Sequence, residues 1–295
     1  MTDTQTYTLI DGKKVSSDIK SEITQKVIER KAAGKKVPHL AIILVGDDGA
    51  SQTYVDNKVK ACKAVGYHYT MMRFADTISE EKLMKHIDHV NNDEDVDGFI
   101  VQLPLPPHIS VEKITEMIRP DKDVDGFTNQ NFGSIISKSP LLLPATPFGV
   151  MELLRRYSIE TEGKHAVVVG ASRIAGAPLS MMLTEHGRST VTICHKYTKD
   201  LTTFTRSADI LFVAVGKPGL IKADMVKEGA VVIDIGTTRV EGPQYAKGWA
   251  ILGDVDFKSV APRCSYITPT PGGVGPMTIA SLLLNTLRAT ELRNP

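Results

Sequence analysis

Apolar runs of strand length alternate with segments of helical apolar spacing along almost the whole chain. In the first half, a helix over 13–33 precedes the run HLAIILVG at 39–46. A helix over 51–65, YHYTMMRF at 67–74, a helix over 79–91 and VDGFIVQLPLP at 96–106 follow. In the second half, strand-like runs fall at 165–170, 190–194, 209–215, 230–235 and 249–252, with a last one, SYITP, at 265–269. Regular β/α alternation predicts an α/β fold with parallel sheets, and runs apolar at every position predict strands buried on both faces. No internal repeat and no low-complexity segment is visible.

Two proline-rich stretches, LPLPPH and LLLPATPFGV at 141–150, interrupt this pattern. Thr146-Pro147 reads as a helix start with proline in its first turn, linking two domains. PTPGGVGPMT at 269–278 opens a terminal helix in which Pro276 suits the first turn and Ile279, Leu282, Leu283 and Leu287 form an apolar stripe. A chain of 295 residues exceeds what one core usually organises. The expected division is therefore 1–146, completed by helix 276–295 returning to it, and 147–275.

The second domain opens on HAVVVGASRIAGAP at 165–178, an apolar strand, a glycine turn and a small-residue helix start. Gly170 and Gly176 let backbone approach a pyrophosphate, and the helix after them offers unpaired N–H groups. The spacing departs from G-x-G-x-x-G: Ser172 stands at the second glycine and the last glycine falls one position late. An ordinary tight strand-to-helix turn is the alternative. About twenty-five residues past Gly170, where a Rossmann unit meets the adenosine ribose, the chain carries His195 and Lys196 instead of an acid. Cations there attract a 2′-phosphate, so local charge favours NADP over NAD.

A net charge of +1 without a basic stripe argues against a nucleic-acid partner. Cys62, Cys194 and Cys264 are few, odd in number and widely spaced, as in a reducing compartment. The N-terminus lacks a basic, then apolar, leader, and nowhere do eighteen apolar residues run together, so a cytoplasmic protein without a membrane span is expected. The eight histidines show no paired spacing with cysteines or acids, and no metal site is expected.

Tyr54 and Lys58 lie four apart and project from one helix face, where a phenol can hydrogen-bond an amine. A solvated pair is the alternative. Short-chain dehydrogenases use the same spacing, but after the glycine turn and within one Rossmann sheet; here it comes long before, in the other domain. Gln102 ends a strand, where side chains at the carboxyl edge of a parallel sheet face a ligand crevice. Asp125, in DKDVDGF, offers two acceptors to adjacent N–H donors on a flat heterocycle, although Asp-Gly is also a common turn. Pro271, Gly272 and Gly273 fit a rigid loop pressed against a ligand, or a flexible connection.

Together Tyr54-x-x-x-Lys58, VQLPLP, DKDVDG, P-x-T-P at 144–147, HAVVVGAS-x-I-x-G-x-P, VGKPG, GDVDF and SYITPTPGGVGPMT resemble the FolD-type bifunctional methylenetetrahydrofolate dehydrogenase/cyclohydrolase enzymes. The resemblance implies oxidation of 5,10-methylenetetrahydrofolate by NADP, then hydrolysis to 10-formyltetrahydrofolate at one interdomain site. It implies that Lys58 is the main catalytic group, Tyr54 its orienting partner and a folate contact, Gln102 a partner of Lys58, and Asp125 the pterin anchor. Pro271, Gly272 and Gly273 fall to the substrate side. Gly170, Ala171, Ser172, Ile174, His195, Lys196, Gly216, Thr237 and Thr278 fall to the cofactor side, with Pro218 a further candidate. A cytoplasmic homodimer joined through Rossmann domains, serving one-carbon metabolism and purine biosynthesis, is implied too.

Two positions depart from the family pattern. Many relatives have arginine where this chain has Ala171, leaving Lys196 to supply the charge. Where relatives often have D-x-G-I-N, residues 234–240 read DIGTTRV, so Thr237 and Thr238 offer hydroxyls without an amide. The alternatives are another NAD(P)-dependent two-domain dehydrogenase, acting on an amino acid or shikimate-like substrate, and a folate-binding protein without turnover.

Overall fold

Continuous apolar runs become the central strands of two parallel sheets. The computed structural model describes residues 7–137 and 140–294; the first six residues of the expected 1–146 domain and Pro295 of the expected terminal helix lie outside them. The first half runs β1 (Thr8–Leu9), α1 (Gly12–Ala32), β2 (His39–Val45), α2 (Gly49–Val65), β3 (His68–Phe74), α3 (Glu80–Asn92), β4 (Gly98–Val101), α4 (Val111–Glu116) and α5 (Asn129–Ser134). The second half runs α6 (Ala145–Arg156), β5 (His165–Val169), α7 (Gly176–Glu185), β6 (Thr190–Cys194), α8 (Leu201–Thr205), β7 (Ile210–Val213), β8 (Ala230–Asp234), β9 (Thr238–Glu241), β10 (Trp249–Leu252), α9 (Phe257–Val260), β11 (Cys264–Ile267) and α10 (Val274–Arg293).

The chain divides into a six-stranded unit, comprising residues up to Ser16 and Thr146–Thr278, and a three-stranded unit of Ser17–Ala145 with Ile279 onward. In the three-stranded unit the order is β3-β2-β4, all parallel, and every residue of β2 after His39 is buried. Within that unit α10 is tied by its polar side chains: Asn285 Nδ2 donates to the carbonyls of Val124 (2.8 Å) and Leu143 (2.7 Å), and the Leu283 carbonyl accepts from Tyr67 Oη at 3.0 Å.

The larger sheet is ordered β1-β11-β8-β7-β5-β6, again wholly parallel. Its N-terminal strand differs from the expected 1–146 span. Thr8 and Leu9 pair with Tyr266 and Ile267, and the Ile10 N–H donates to the Ile267 carbonyl at 2.8 Å. Two residues are too few to show a strand period, and the fully buried Ile10 side chain anchors the segment. The run 249–252 also departs from expectation. β10 pairs antiparallel with β9 in a separate ribbon, and its four residues are only half-buried, unlike the fully buried β8. A segment without two apolar faces cannot fill a place inside a parallel sheet.

One clasp occurs twice. At the head of β2, His39 donates its backbone N–H to Asp97 Oδ2 (3.0 Å), while its ring meets the Asp95 carbonyl through Nδ1 (3.0 Å) and Thr70 Oγ1 through Nε2 (2.9 Å). At the head of β5, His165 makes the same three contacts with Asp209 (2.9 Å), the Ser207 carbonyl (3.1 Å) and Thr192 (2.9 Å). Each threonine is the third residue of the neighbouring strand, and each aspartate immediately precedes the next strand and holds a lysine, Lys36 or Lys227. A ring nitrogen facing a carbonyl must carry the proton, so a neutral imidazole here is the Nδ1–H tautomer with Nε2 accepting from threonine. The sequence shows no repeat because only these few positions recur.

Candidate functional site

The expected catalytic residues gather in the three-stranded unit. Asp48 caps α2 by accepting from the Ser51 N–H at 2.7 Å, and the helix then carries Tyr54 and Lys58 one turn apart. Lys58 is 7% exposed and donates Nζ to Gln102 Oε1 at 3.1 Å. Gln102 follows β4 directly; its N–H donates to the Ile43 carbonyl, and its Nε2 to the Leu103 carbonyl at 2.7 Å. These bonds orient the amide so that its oxygen faces the lysine. Tyr54 is 47% exposed, and the lysine's hydrogen bond goes to Gln102, not to the phenol.

Asp125 is the fourth member. Burial pushes its carboxyl above the ordinary range, while the Lys58 ammonium opposes that rise and Asp123 adds to it. The fully buried Asp123 shapes the turn, accepting from the N–H of Gly126 (3.0 Å) and Thr128 (2.8 Å) and from Asn131 Nδ2 (3.0 Å). Gly126 has φ +72°, and a Cβ there would meet Pro144 at 2.6 Å. Sequence reading missed Asp123, since DVDG reads as a surface turn.

The expected cofactor residues lie in the six-stranded unit. Gly170 has φ +120°, and a Cβ on it would stand 2.2 Å from the Ala214 carbonyl oxygen; one on Gly176 would stand 1.8 Å from the Gly170 carbonyl oxygen. Only glycine lets strand, turn and helix approach this closely. α7 opens at Ala175 with no side-chain cap from that residue, but contrary to the expected unpaired N–H groups the turn itself uses most of the helix start. The Ala175 N–H donates to Ser172 Oγ (3.3 Å), the Ala177 N–H to the Ser172 carbonyl (3.0 Å), and Pro178 has no N–H; Ala171, Ser172 and Ile174 are exposed on the turn. After β6 the His195 N–H donates to Thr198 Oγ1 (2.9 Å), and exposed Lys196 lies with Nζ 4.9 Å from the Tyr197 ring centroid. Thr237 is exposed just before β9, and Thr278 Oγ1 bonds Thr146 Oγ1 at 3.1 Å. Pro271 is exposed. Gly272 and Gly273 are buried, with the Gly272 carbonyl accepting from the Lys13 N–H at 3.1 Å.

A second missed feature is a pair of buried aspartates. Asp234 accepts from the N–H groups of Gly236, Asp254 and Val255, each at 3.0 Å, and Asp254 accepts from those of Val215, Gly216 and Lys217. Burial raises the Asp234 carboxyl to about 6 from 3.8, against the lowering effect of its N–H donors. Between those values the folded chain holds a proton that the unfolded chain has released. The stability contributed by Asp234 is therefore greatest at low pH and falls as pH rises through that window, by about 3 kcal/mol. The difference in unfolding free energy between wild type and Asp234→Asn is expected to shrink by that amount from about pH 4 to about pH 7. A pH-independent difference in denaturant midpoints contradicts it.

Among the described residues there is no cluster of metal-ligating side chains and no helix long and apolar enough to cross a membrane.

The sequence profile of the tetrahydrofolate dehydrogenase/cyclohydrolase catalytic domain matches residues 10–125, and that of the corresponding NAD(P)-binding domain matches residues 144–294. The bifunctional protein FolD of Flavobacterium johnsoniae is 55% identical over 289 residues, covering 97% of this chain and 98% of the relative. The crystal structure of the bifunctional FolD enzyme from Campylobacter jejuni superposes with TM-score 0.92 at 47% identity, covering 97% of this chain and 99% of that one. The Trypanosoma brucei FolD structure, complexed with NADP cofactor and inhibitor, gives TM-score 0.92 at 37% identity, covering 97% of this chain and 98% of that one.

Proposed function

The chain belongs to the tetrahydrofolate dehydrogenase/cyclohydrolase family, and from that premise we propose how its residues divide the work. It is a bifunctional enzyme: it oxidises 5,10-methylenetetrahydrofolate with NADP to 5,10-methenyltetrahydrofolate and hydrolyses that product to 10-formyltetrahydrofolate. We assign folate chemistry to the three-stranded unit and NADP to the six-stranded unit. The observation that carries the first assignment is the buried Lys58 amine held by Gln102. The glycine-forced approach of α7 to β5, which lets backbone stand close to a pyrophosphate, supports the second.

The two steps ask different things of the protein. NADP, when bound, accepts a hydride from the methylene carbon, whose departure the flanking folate nitrogens drive; the chain supplies alignment. Hydrolysis adds water to the cationic carbon, breaks that carbon's bond to N5 and releases a proton, and Lys58 is the group placed to hold or move it. Gln102 fixes the amine's direction, and the Asp125 carboxyl accepts N–H donors of the pterin. Tyr54, exposed on the same helix face, contacts folate from the solvent side.

Lys196 gives the cofactor site its cation for a 2′-phosphate. Lys196→Ala is expected to raise KM for NADP by about tenfold, roughly one charge-assisted hydrogen bond, without changing the weaker use of NAD. Steady-state kinetics with both nucleotides checks this, and unaltered selectivity removes the assignment. The enzyme is further proposed to be a cytoplasmic homodimer that supplies one-carbon units for purine synthesis. Outer strand β6, with Ile193 exposed, offers an edge for pairing in the six-stranded unit, and sedimentation tests the dimer.

Incubation with 5,10-methylenetetrahydrofolate and each pyridine nucleotide, following NADPH, methenyl and formyl products over time, tests the whole reading. Absence of NADPH together with absence of both methenyl and formyl products refutes it.

A further inference from the structure

Three consecutive peptide N–H groups converge on one fully buried carboxylate at the end of β7. Val215 and Gly216 donate to Asp254 Oδ2 at 2.6 and 2.9 Å, and Lys217 donates to Oδ1 at 2.6 Å. Such a run of amides is a ready anion site, and here an internal side chain fills it. The chain around Asp254 adds two main-chain bonds: the Gly219 N–H donates to the Gly253 carbonyl and the Ile221 N–H to the Asp254 carbonyl, both at 3.0 Å.

Asp254 is itself held. Its N–H and that of Val255 donate to the two oxygens of Asp234, whose own N–H donates to Thr268 Oγ1 at 2.7 Å. Backbone packs directly against both carboxylates. A Cβ on Gly253 would stand 1.9 Å from Asp234 Oδ2, and one on Gly236 would stand 2.3 Å from Asp254 Cγ. Two buried carboxylates thus stitch three loops, 215–217, 236 and 253–255, at the carboxyl edge of the sheet, where parallel α/β sheets bind their ligands. Burying such a charge is costly unless hydrogen bonds replace its water, so this arrangement resists loosening.

We propose that Asp254, anchored by Asp234, is a positioning residue that fixes the Val215–Lys217 loop in its NADP-binding form before the cofactor arrives. The proposal rests on the assignment of NADP to the six-stranded unit. It acts through the backbone of the loop, so it concerns nucleotide affinity and leaves the proton chemistry of hydrolysis alone.

Asp254→Asn replaces one acceptor oxygen by a donor facing N–H groups. The expected result is a KM for NADP raised by about tenfold or more, with kcat at saturating NADP changed by less than about threefold. Hydrolysis of added 5,10-methenyltetrahydrofolate, which consumes no nucleotide, stays within about twofold of wild type. Thr268→Val, which removes only the acceptor for the Asp234 N–H, shifts KM in the same direction by a smaller factor. An unchanged KM for NADP, or equal losses in both reactions, overturns the proposal. Amide exchange in nucleotide-free wild type needs no variant: slow exchange at Val215, Gly216 and Lys217 supports a loop set in advance, and fast exchange that slows only with NADP overturns it. Failure of the underlying assignment reads differently, as wild-type protein that neither binds nor reduces NADP.

Discussion

Lys58→Met is expected to cut hydrolysis of 5,10-methenyltetrahydrofolate by about 10² to 10⁴-fold, the usual contribution of a positioned proton-transfer group. Methionine keeps the length and apolar stem of lysine, so what is lost is the amine alone. Gln102 then loses its donor, and the Asp125 carboxyl loses the ammonium that opposes its upward shift. The oxidation step depends on alignment with the nicotinamide, and it is expected to fall by only about tenfold. Measuring kcat for each half-reaction at saturating folate separates the two. Equal losses with folate binding intact contradict a proton-handling role for Lys58.

Gly176→Ala is the second substitution with a large expected effect. The new methyl carbon meets the Gly170 carbonyl oxygen at 1.8 Å and its carbon at 2.6 Å, both backbone atoms that no rotamer change can move. Either α7 withdraws from β5 or the turn 170–174 rebuilds, and overpacking of this kind costs about 3 kcal/mol. On the proposed assignment of NADP to this turn, affinity for NADP is expected to drop by more than about tenfold, because the rebuilt turn no longer presents its backbone for a close approach. Fluorescence titration with NADP and thermal melts check this, with nucleotide-independent hydrolysis reporting on the other unit. Gly216→Ala gives the contrast for stability. Nothing lies within 4 Å of its Cβ position, and only its φ of +72° resists, at about 1 kcal/mol. Comparable destabilisation at the two sites argues against a steric role for Gly176.

The parts of this molecule written into local sequence are those with a period or a steric demand of their own. HLAIILV and HAVVV are apolar at nearly every position, and both became central parallel strands. Tyr54 and Lys58 share a helix face because four residues make about one turn. Gly170 and Gly176 mark a close approach that a side chain forbids, whatever the rest of the chain does. The specific runs VQLPLP and PGGVGPMT carry the family resemblance in sequence alone.

Tertiary structure alone decided the rest. Thr8 and Leu9 joined β11 because a strand of two residues takes its identity from its partner, and β10 left the sheet for a ribbon with β9. The clasps of His39 and His165 are invisible along the chain, since each gathers a few residues from three separate segments. GDVDF enters the sequence only as a motif of the resemblance, with nothing local to mark burial, yet folding buries Asp254 completely and surrounds it with the N–H groups of a distant loop. Periodicity and glycine sterics act between neighbours and survive translation into one dimension. The worth of a buried carboxylate depends on which donors the fold brings to it, and no local pattern encodes that.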